Sequence, residues 1–356
     1  MLLYVGTYTR RGAEGIYSLS LDPATGDLQP VGLTRGIPDP AFLDISPDGR
    51  HLYSVSEVVE FEGKKTGALY AYAIDPQTRE LSLINAESSG APGPCHVSVD
   101  ATNQTVLAAN YTGGSAIAFP IRDDGGLGPL QSLIQHEGSS INPDRQERPH
   151  AHSIKPSPDN RFAFCPDLGT DKVMAYRLDA DSATLTPNDP AFASIEPGHG
   201  PRHLSFHPNG RFLYVINELG SSISAFAYHA ENGTLDPLQM VSTLPEGYRG
   251  HSTCADIHVH PSGKFLYGSN RGHDSIAIFS VDSESGHLTP IGYETRDCST
   301  PRNFAIDPSG AFLLVGNQDR DLISTFRIDP ESGLLEHTHH LTPIPAPVCL
   351  KFLPQG

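Results

Sequence analysis

The stretch HLSFHPNGRFLYVINELGSSISAFAYHAENGTLDPLQMVSTL, residues 203–244, holds four apolar runs of strand length. Turn chemistry separates them: Pro-Asn-Gly, Glu-Leu-Gly-Ser-Ser and Glu-Asn-Gly-Thr. In the third run Ile223, Ala225 and Ala227 alternate with Ser224, Phe226 and Tyr228, the period of a strand rather than a helix. No part of the chain sustains a competing helical period. The stretch therefore reads as one four-stranded β-unit, and its first turn recurs along the chain.

That turn is a phrase of the form Ser/His/Asp-Pro-x-Gly/Asn-Arg/Lys followed by an apolar run. It stands as SPDGRHLY from Ser46, SPDNRFAF from Ser157, HPNGRFLY from His207, HPSGKFLY from His260 and DPSGAFLL from Asp307, with a degenerate DATNQTVL from Asp100. The marks Pro47, Ala101, Pro158, Pro208, Pro261 and Pro308 step by 54, 57, 50, 53 and 47 residues. A second phrase, Asp-x-x-Ser/Thr-Gly-x-Leu and its variants, occurs seven times, beginning at Asp22, Asp75, Asp123, Asp179, His229, Asp282 and Asp329. The seventh proline mark is Pro354 in LKFLP, whose following apolar strand is supplied by MLLYVGTY at the other end of the chain. A repeat of about 50 residues made of four short strands predicts an all-β, seven-bladed β-propeller, with four antiparallel strands per blade. Joining the N- and C-terminal strands in one blade closes the ring and leaves no free sheet edge. Residues 1–356 are thus expected to form a single β-propeller domain.

Composition narrows the partners. A formal charge of −17 argues against a nucleic-acid ligand, which needs a basic face. No apolar run approaches the roughly 18 residues of a membrane span, and MLLYVGTYT reads as a strand rather than a secretion signal. Five cysteines, odd in number and without C-x-x-C spacing, predict reduced thiols and a cytoplasmic protein. The oligomeric state is not legible. Tryptophan is absent, so the signature of WD40 interaction propellers is missing.

Up-and-down blades bring the residues just before each first strand and just after each second strand to one face of the ring. The Pro-x-Gly turns lie on the other face. On the first face the phrases PHAH, GPRH, NEL, NRG, GPCH, HSTCADIH and PRNF gather imidazoles, guanidiniums and carboxylates. The candidate site residues on that face are His96, Asn110, His150, His152, Arg202, His203, Glu218, His258, Arg271 and Arg302, from which both catalytic and substrate-binding groups would be drawn. Three arginines in an acidic chain form a local positive well suited to a small anion. The pairs His150/His152 and His258/His260 have H-x-H spacing, but no carboxylate completes a ligand set, so no metal is expected. A Gly-x-Ser-x-Gly nucleophile motif is absent.

The segments PHAHSIKPSPDNRF, GPRHLSFHPNGRFLYVINEL, ADIHVHPSGKFLYGSNRGHDSI and TPRNFAIDPSGAFLL resemble the seven-bladed propeller lactonases over essentially the full length. That family includes bacterial 6-phosphogluconolactonase and fungal carboxymuconate lactonizing enzyme. The resemblance implies that its active-site His, Arg, Glu and second Arg fall on His152, Arg202, Glu218 and Arg271. PHAH also offers His150, and His152 fits the spacing to the SPD turn better. It implies hydrolysis of a small anionic sugar lactone, foremost 6-phospho-D-glucono-1,5-lactone of the pentose phosphate pathway, without metal or cofactor. In that reading His152 and Glu218 handle protons, and the arginines hold the substrate anion and the developing oxyanion. Three alternatives accompany it: an unphosphorylated aldonolactone as substrate, cycloisomerisation of a muconate-type dicarboxylate, and a non-catalytic scaffold.

Overall fold

A computed structural model describes residues 1–354 and shows seven four-stranded antiparallel sheets, each a meander from the axis outward. The blades are numbered here from the N-terminus. Blade 1 combines the innermost strand Pro347–Phe352 with three strands beginning at Leu2–Thr7. Blades 2 to 7 begin on the innermost strands Leu43–Ile45, Pro94–Val99, Lys155–Pro156, Pro201–Phe206, Thr253–Val259 and Pro301–Ile306. The strand Leu2–Thr7 pairs antiparallel with Pro347–Phe352, Leu3 opposite Phe352 and Gly6 opposite Cys349. The expected closure of the ring by both termini is observed.

Second strands read as unbroken apolar runs because both of their faces are covered. In Thr105–Asn110 of blade 3, Val106 and Ala108 pack in one cluster with Tyr53, Val55, Leu69 and Ala71 of blade 2. Leu107 and Ala109 point the other way, into Ala163, Cys165 and Tyr176 of blade 4. Each of the seven blade junctions has such a cluster, so the core is a ring of wedges rather than one centre.

The repeated phrases also stitch neighbouring blades. The tyrosine ending the motif donates its buried hydroxyl to a glycine carbonyl in the next blade's outer turn. Tyr53 reaches Gly125 O (2.8 Å), Tyr214 reaches Gly286 O (3.0 Å) and Tyr267 reaches Gly333 O (2.8 Å). The histidine of HPxG acts in the same way on the far face: His207 Nε2 donates to Gly263 O and His260 Nε2 to Gly310 O, both at 2.9 Å. Gly263 has φ +74°, and a Cβ there would sit 2.8 Å from the His207 ring, so this turn requires glycine twice over. The motif recurs because each copy supplies both a turn and a tie to the next copy.

Candidate active site

Three innermost strands open on the same device. Pro94-Cys95-His96, Pro201-Arg202-His203 and Pro301-Arg302-Asn303 each carry a register irregularity between the proline and the third residue. A bulge at a strand start re-aims side chains. The middle residue turns to the near mouth of the channel, and the third turns down the axis. In blade 4 the equivalent lead-in is PHAHS. Asp167 anchors it, accepting from the His150 backbone N–H (2.9 Å), while His152 N–H donates to Pro166 O (3.0 Å). Glu218 follows the second strand Phe212–Asn217 of blade 5, its N–H bonded to Gly200 O (2.7 Å). Arg271 ends the second strand Phe265–Arg271 of blade 6.

These elements enclose a cavity of about 280 Å³ at the near mouth, lined by Glu57, Cys95, Tyr111, Arg145, His152, Glu218, Arg271 and Arg302. Glu218 is its hub. Oε1 accepts from Arg145 Nη2 (2.7 Å), and Oε2 accepts from Arg202 Nε (2.9 Å) and pairs with Arg271 Nη2 (3.0 Å). His152 Nε2 faces the same oxygen from 3.9 Å, too far for a hydrogen bond. Arg202 is almost fully buried (2% exposed) and braces Glu218 from behind, its Nη1 donating to Ala255 O (2.6 Å). Arg271 Nη2 also donates to Cys254 O (2.8 Å), and its buried Nε has no protein partner among the described residues. Arg302 makes no ion pair among the described residues; its guanidinium lies 5.4 Å from the Tyr8 ring centroid. Four guanidiniums therefore surround two carboxylates, Glu57 and Glu218.

The charges set the protonation states. Burial opposes ionisation of Glu218, but the guanidiniums of Arg271, Arg202 and Arg145 outweigh it and hold the carboxyl well below its usual range. Burial, reinforced by Arg202, His203 and Arg302, pushes His152 well below 6.5. At neutral pH the cavity thus holds a permanent carboxylate and a neutral imidazole with an excess of positive charge. Such a site can bind an anion, accept a proton at His152 and stabilise an oxyanion with a fixed guanidinium.

The sequence profile described as "Lactonase, 7-bladed beta-propeller" matches residues 2–352. The chain belongs to the seven-bladed β-propeller lactonase family. It is 37% identical over 352 residues to 6-phosphogluconolactonase of Bacillus subtilis, covering 99% of this chain and 98% of the relative. A protein of Formosa agariphila, also named 6-phosphogluconolactonase, is 37% identical over 310 residues and covers 85% of each chain. Among solved structures, the periplasmic gluconolactonase of Pseudomonas aeruginosa superposes with a TM-score of 0.92 at 35% identity, over 99% of this chain and all of that one.

Within this lactonase fold the expected residues divide. His152, Glu218, Arg271 and Arg302 line the near cavity, and Arg202 touches Glu218 from behind it. His150 stacks on Tyr111 at 4.5 Å and meets the Tyr111 carbonyl through Nδ1 (3.1 Å), so it supports the wall. Asn110 is not a lining residue: its amide is buried on Ser89 O and Ser115 Oγ, both at 3.0 Å. One position later, Tyr111 faces the cavity. His96, His203 and His258 are also displaced from the near mouth. They lie inside the strands Pro94–Val99, Pro201–Phe206 and Thr253–Val259 rather than ahead of them, so the strand rise carries them down the channel. His96 stacks on Phe42 (4.2 Å) and meets His203 edge-on (5.4 Å), a plug across the axis beneath His152. His258 opens onto a second cavity beyond that plug.

The sequence reading missed Arg145. It sits in the connection between blades 3 and 4, bonded to Glu218 and to the Tyr111 hydroxyl (3.2 Å). The available signal was the interval from Ala101 to Pro158, the longest of the steps at 57 residues, with NPDRQER inside it.

Proposed function

We propose that the protein hydrolyses a sugar lactone carrying an anionic group, with 6-phospho-D-glucono-1,5-lactone as the leading substrate. The observation that carries this reading is the near cavity itself: neutral His152 faces ionised Glu218 amid four guanidiniums. Its relatives named 6-phosphogluconolactonase and gluconolactonase support the sugar-lactone class.

In this reading Arg302, free of any carboxylate partner among the described residues, holds the substrate's phosphate. The incoming anion offsets the positive charge that depresses His152, so the imidazole becomes a stronger base when substrate is bound. Water attacks the ring carbonyl carbon and gives its proton to His152 Nε2. Arg271, fixed by Glu218 and Cys254 O, faces the carbonyl oxygen as it becomes negative. Collapse of the tetrahedral intermediate breaks the ring C–O bond, and the proton on His152 passes to the departing ring oxygen. Glu218 remains ionised throughout. Its work is to orient guanidiniums rather than to carry the proton. No step calls on a metal or a cofactor.

The test is a pH-stat comparison of 6-phosphoglucono-1,5-lactone with glucono-1,5-lactone, corrected for spontaneous opening. Faster turnover of the phosphorylated lactone, lost in Arg302→Met, supports the assignment. Equal kcat/KM on both assigns the site to unphosphorylated aldonolactones, the class named by the P. aeruginosa relative. Catalysis of neither overturns the reading. Five buried, unpaired cysteines favour a reducing compartment such as the cytoplasm.

A further inference from the structure

The second cavity, about 270 Å³, lies in the axial channel beyond the Phe42–His96–His203 plug and is walled by innermost strands of several blades. Its polar wall includes Asp44, His96, Lys155, Asp256, His258 and Asn303. The acceptors there are already engaged. Asp44 receives Lys351 (2.5 Å) and the backbone N–H groups of Ile45 and Val99, both at 2.9 Å. Asp256 receives His203 Nδ1 (2.8 Å), His258 Nε2 (2.9 Å) and the Asn303 amide.

Two donors are left over. Lys155 makes no ion pair or side-chain hydrogen bond among the described residues. His96 is 1% exposed; its Nδ1 accepts from Ile154 N–H (3.4 Å), which leaves a proton on Nε2, and Nε2 has no partner among the described residues. A buried polar group without a partner is costly, which applies to His96 Nε2, and half-buried Lys155 adds an unpaired charge to the same cavity wall, so the wall favours an acceptor. We propose that this distal cavity is a second binding site, for a compact oxyanion of the phosphate or carboxylate class, held by Lys155 Nζ and His96 Nε2. Burial also pulls the Lys155 ammonium below its usual value, although Asp256 and Asp44 act in the other direction. The site is separate from the arginine cavity and does not depend on the reaction assigned there.

Selenate, a phosphate-like anion with anomalous signal, soaked into wild-type crystals should give a peak within hydrogen-bonding distance of Lys155 Nζ as well as one among the arginines. In solution, inorganic phosphate at constant ionic strength should raise Tm. Lys155→Met should lose about half of that gain with unchanged basal turnover, leaving the arginine cavity's share. His96→Phe removes the orphan donor without a charge change and should lower the gain as well. Repeating the titration with malonate on wild type and Lys155→Met separates the two chemistries: a larger Lys155-dependent part of the Tm gain with phosphate assigns phosphate, and a larger one with malonate assigns carboxylate. A selenate peak only at the arginine cavity, or a full phosphate gain in Lys155→Met, overturns the proposal. The soak needs no variant, so it decides even if Lys155→Met fails to fold.

Discussion

Replacing Glu218 with Gln keeps the shape of the hub and removes its charge. In the wild type this carboxylate touches Arg145, Arg202 and Arg271 at 2.7, 2.9 and 3.0 Å. Two unit charges about 4 Å apart at an effective dielectric of about 20 interact by roughly 4 kcal/mol. Arg145 is 37% exposed, so water compensates it, and its share is discounted. Arg202 is buried and Arg271 largely so, and they would be left as like charges facing each other. Breaking a buried ion pair in this way costs about 3–5 kcal/mol. For a chain of this length the unfolding entropy is about 0.75 kcal/mol per degree, so Tm should fall by about 4–7 °C. Orientation of Arg271 should suffer too, lowering kcat by about 10²–10³. Calorimetry at pH 7.5, paired with lactone turnover, reads both effects. A Glu218→Gln protein that melts within a degree of wild type would refute the electrostatic hub.

Four further outcomes follow from the same geometry. His152→Asn should reduce kcat by about 10²–10⁴ while leaving Tm nearly unchanged, measured by pH-stat and calorimetry. Arg302→Met should raise KM for the phosphorylated lactone at least about tenfold and leave the unphosphorylated one little affected, because a charge-assisted contact is lost. Acid should destabilise the fold early. His96 and His152 are held well below 6.5 and His203 is pulled down to about 3, each chiefly by burial. The unfolded chain therefore binds protons below about pH 6.5 that the native one refuses, and stability is lost as pH falls through that value, by up to about 1.4 kcal/mol per pH unit for each imidazole. Urea unfolding at pH 7.5 and pH 5.5 measures it; equal midpoints contradict neutral channel histidines. Chelator treatment should leave lactone turnover unchanged, and loss of activity restored by a divalent metal would contradict the route proposed for His152.

The blade count was readable because the repeated phrase carries its own reason to recur: Tyr53, Tyr214, Tyr267, His207 and His260 bind the neighbouring copy. That His152, Arg202, Glu218 and Arg271 share one mouth with their near-face neighbours was readable from topology, since strand ends must meet there; singling out these four took the family resemblance. Depth along the channel was not. His96 and His203 follow Cys95 and Arg202 directly, and one step in a strand turns a side chain the other way. The same step separates buried Asn110 from cavity-lining Tyr111. Arg145 escaped because its connection belongs to no repeat, so no register places it.

The blade that joins both ends of the chain has a consequence for synthesis. Leu2–Thr7 finds its axial neighbour only in residues 347–352, so a growing polypeptide holds that strand one-sided until almost everything else has been made. Six blades can mature in turn behind the ribosome, whereas the opening hairpin waits with one edge unpaired. Leu3 and Val5 are therefore made early but reach their buried contact with Leu350 only at the end, so damage to them acts on the waiting edge as well as on the finished wheel.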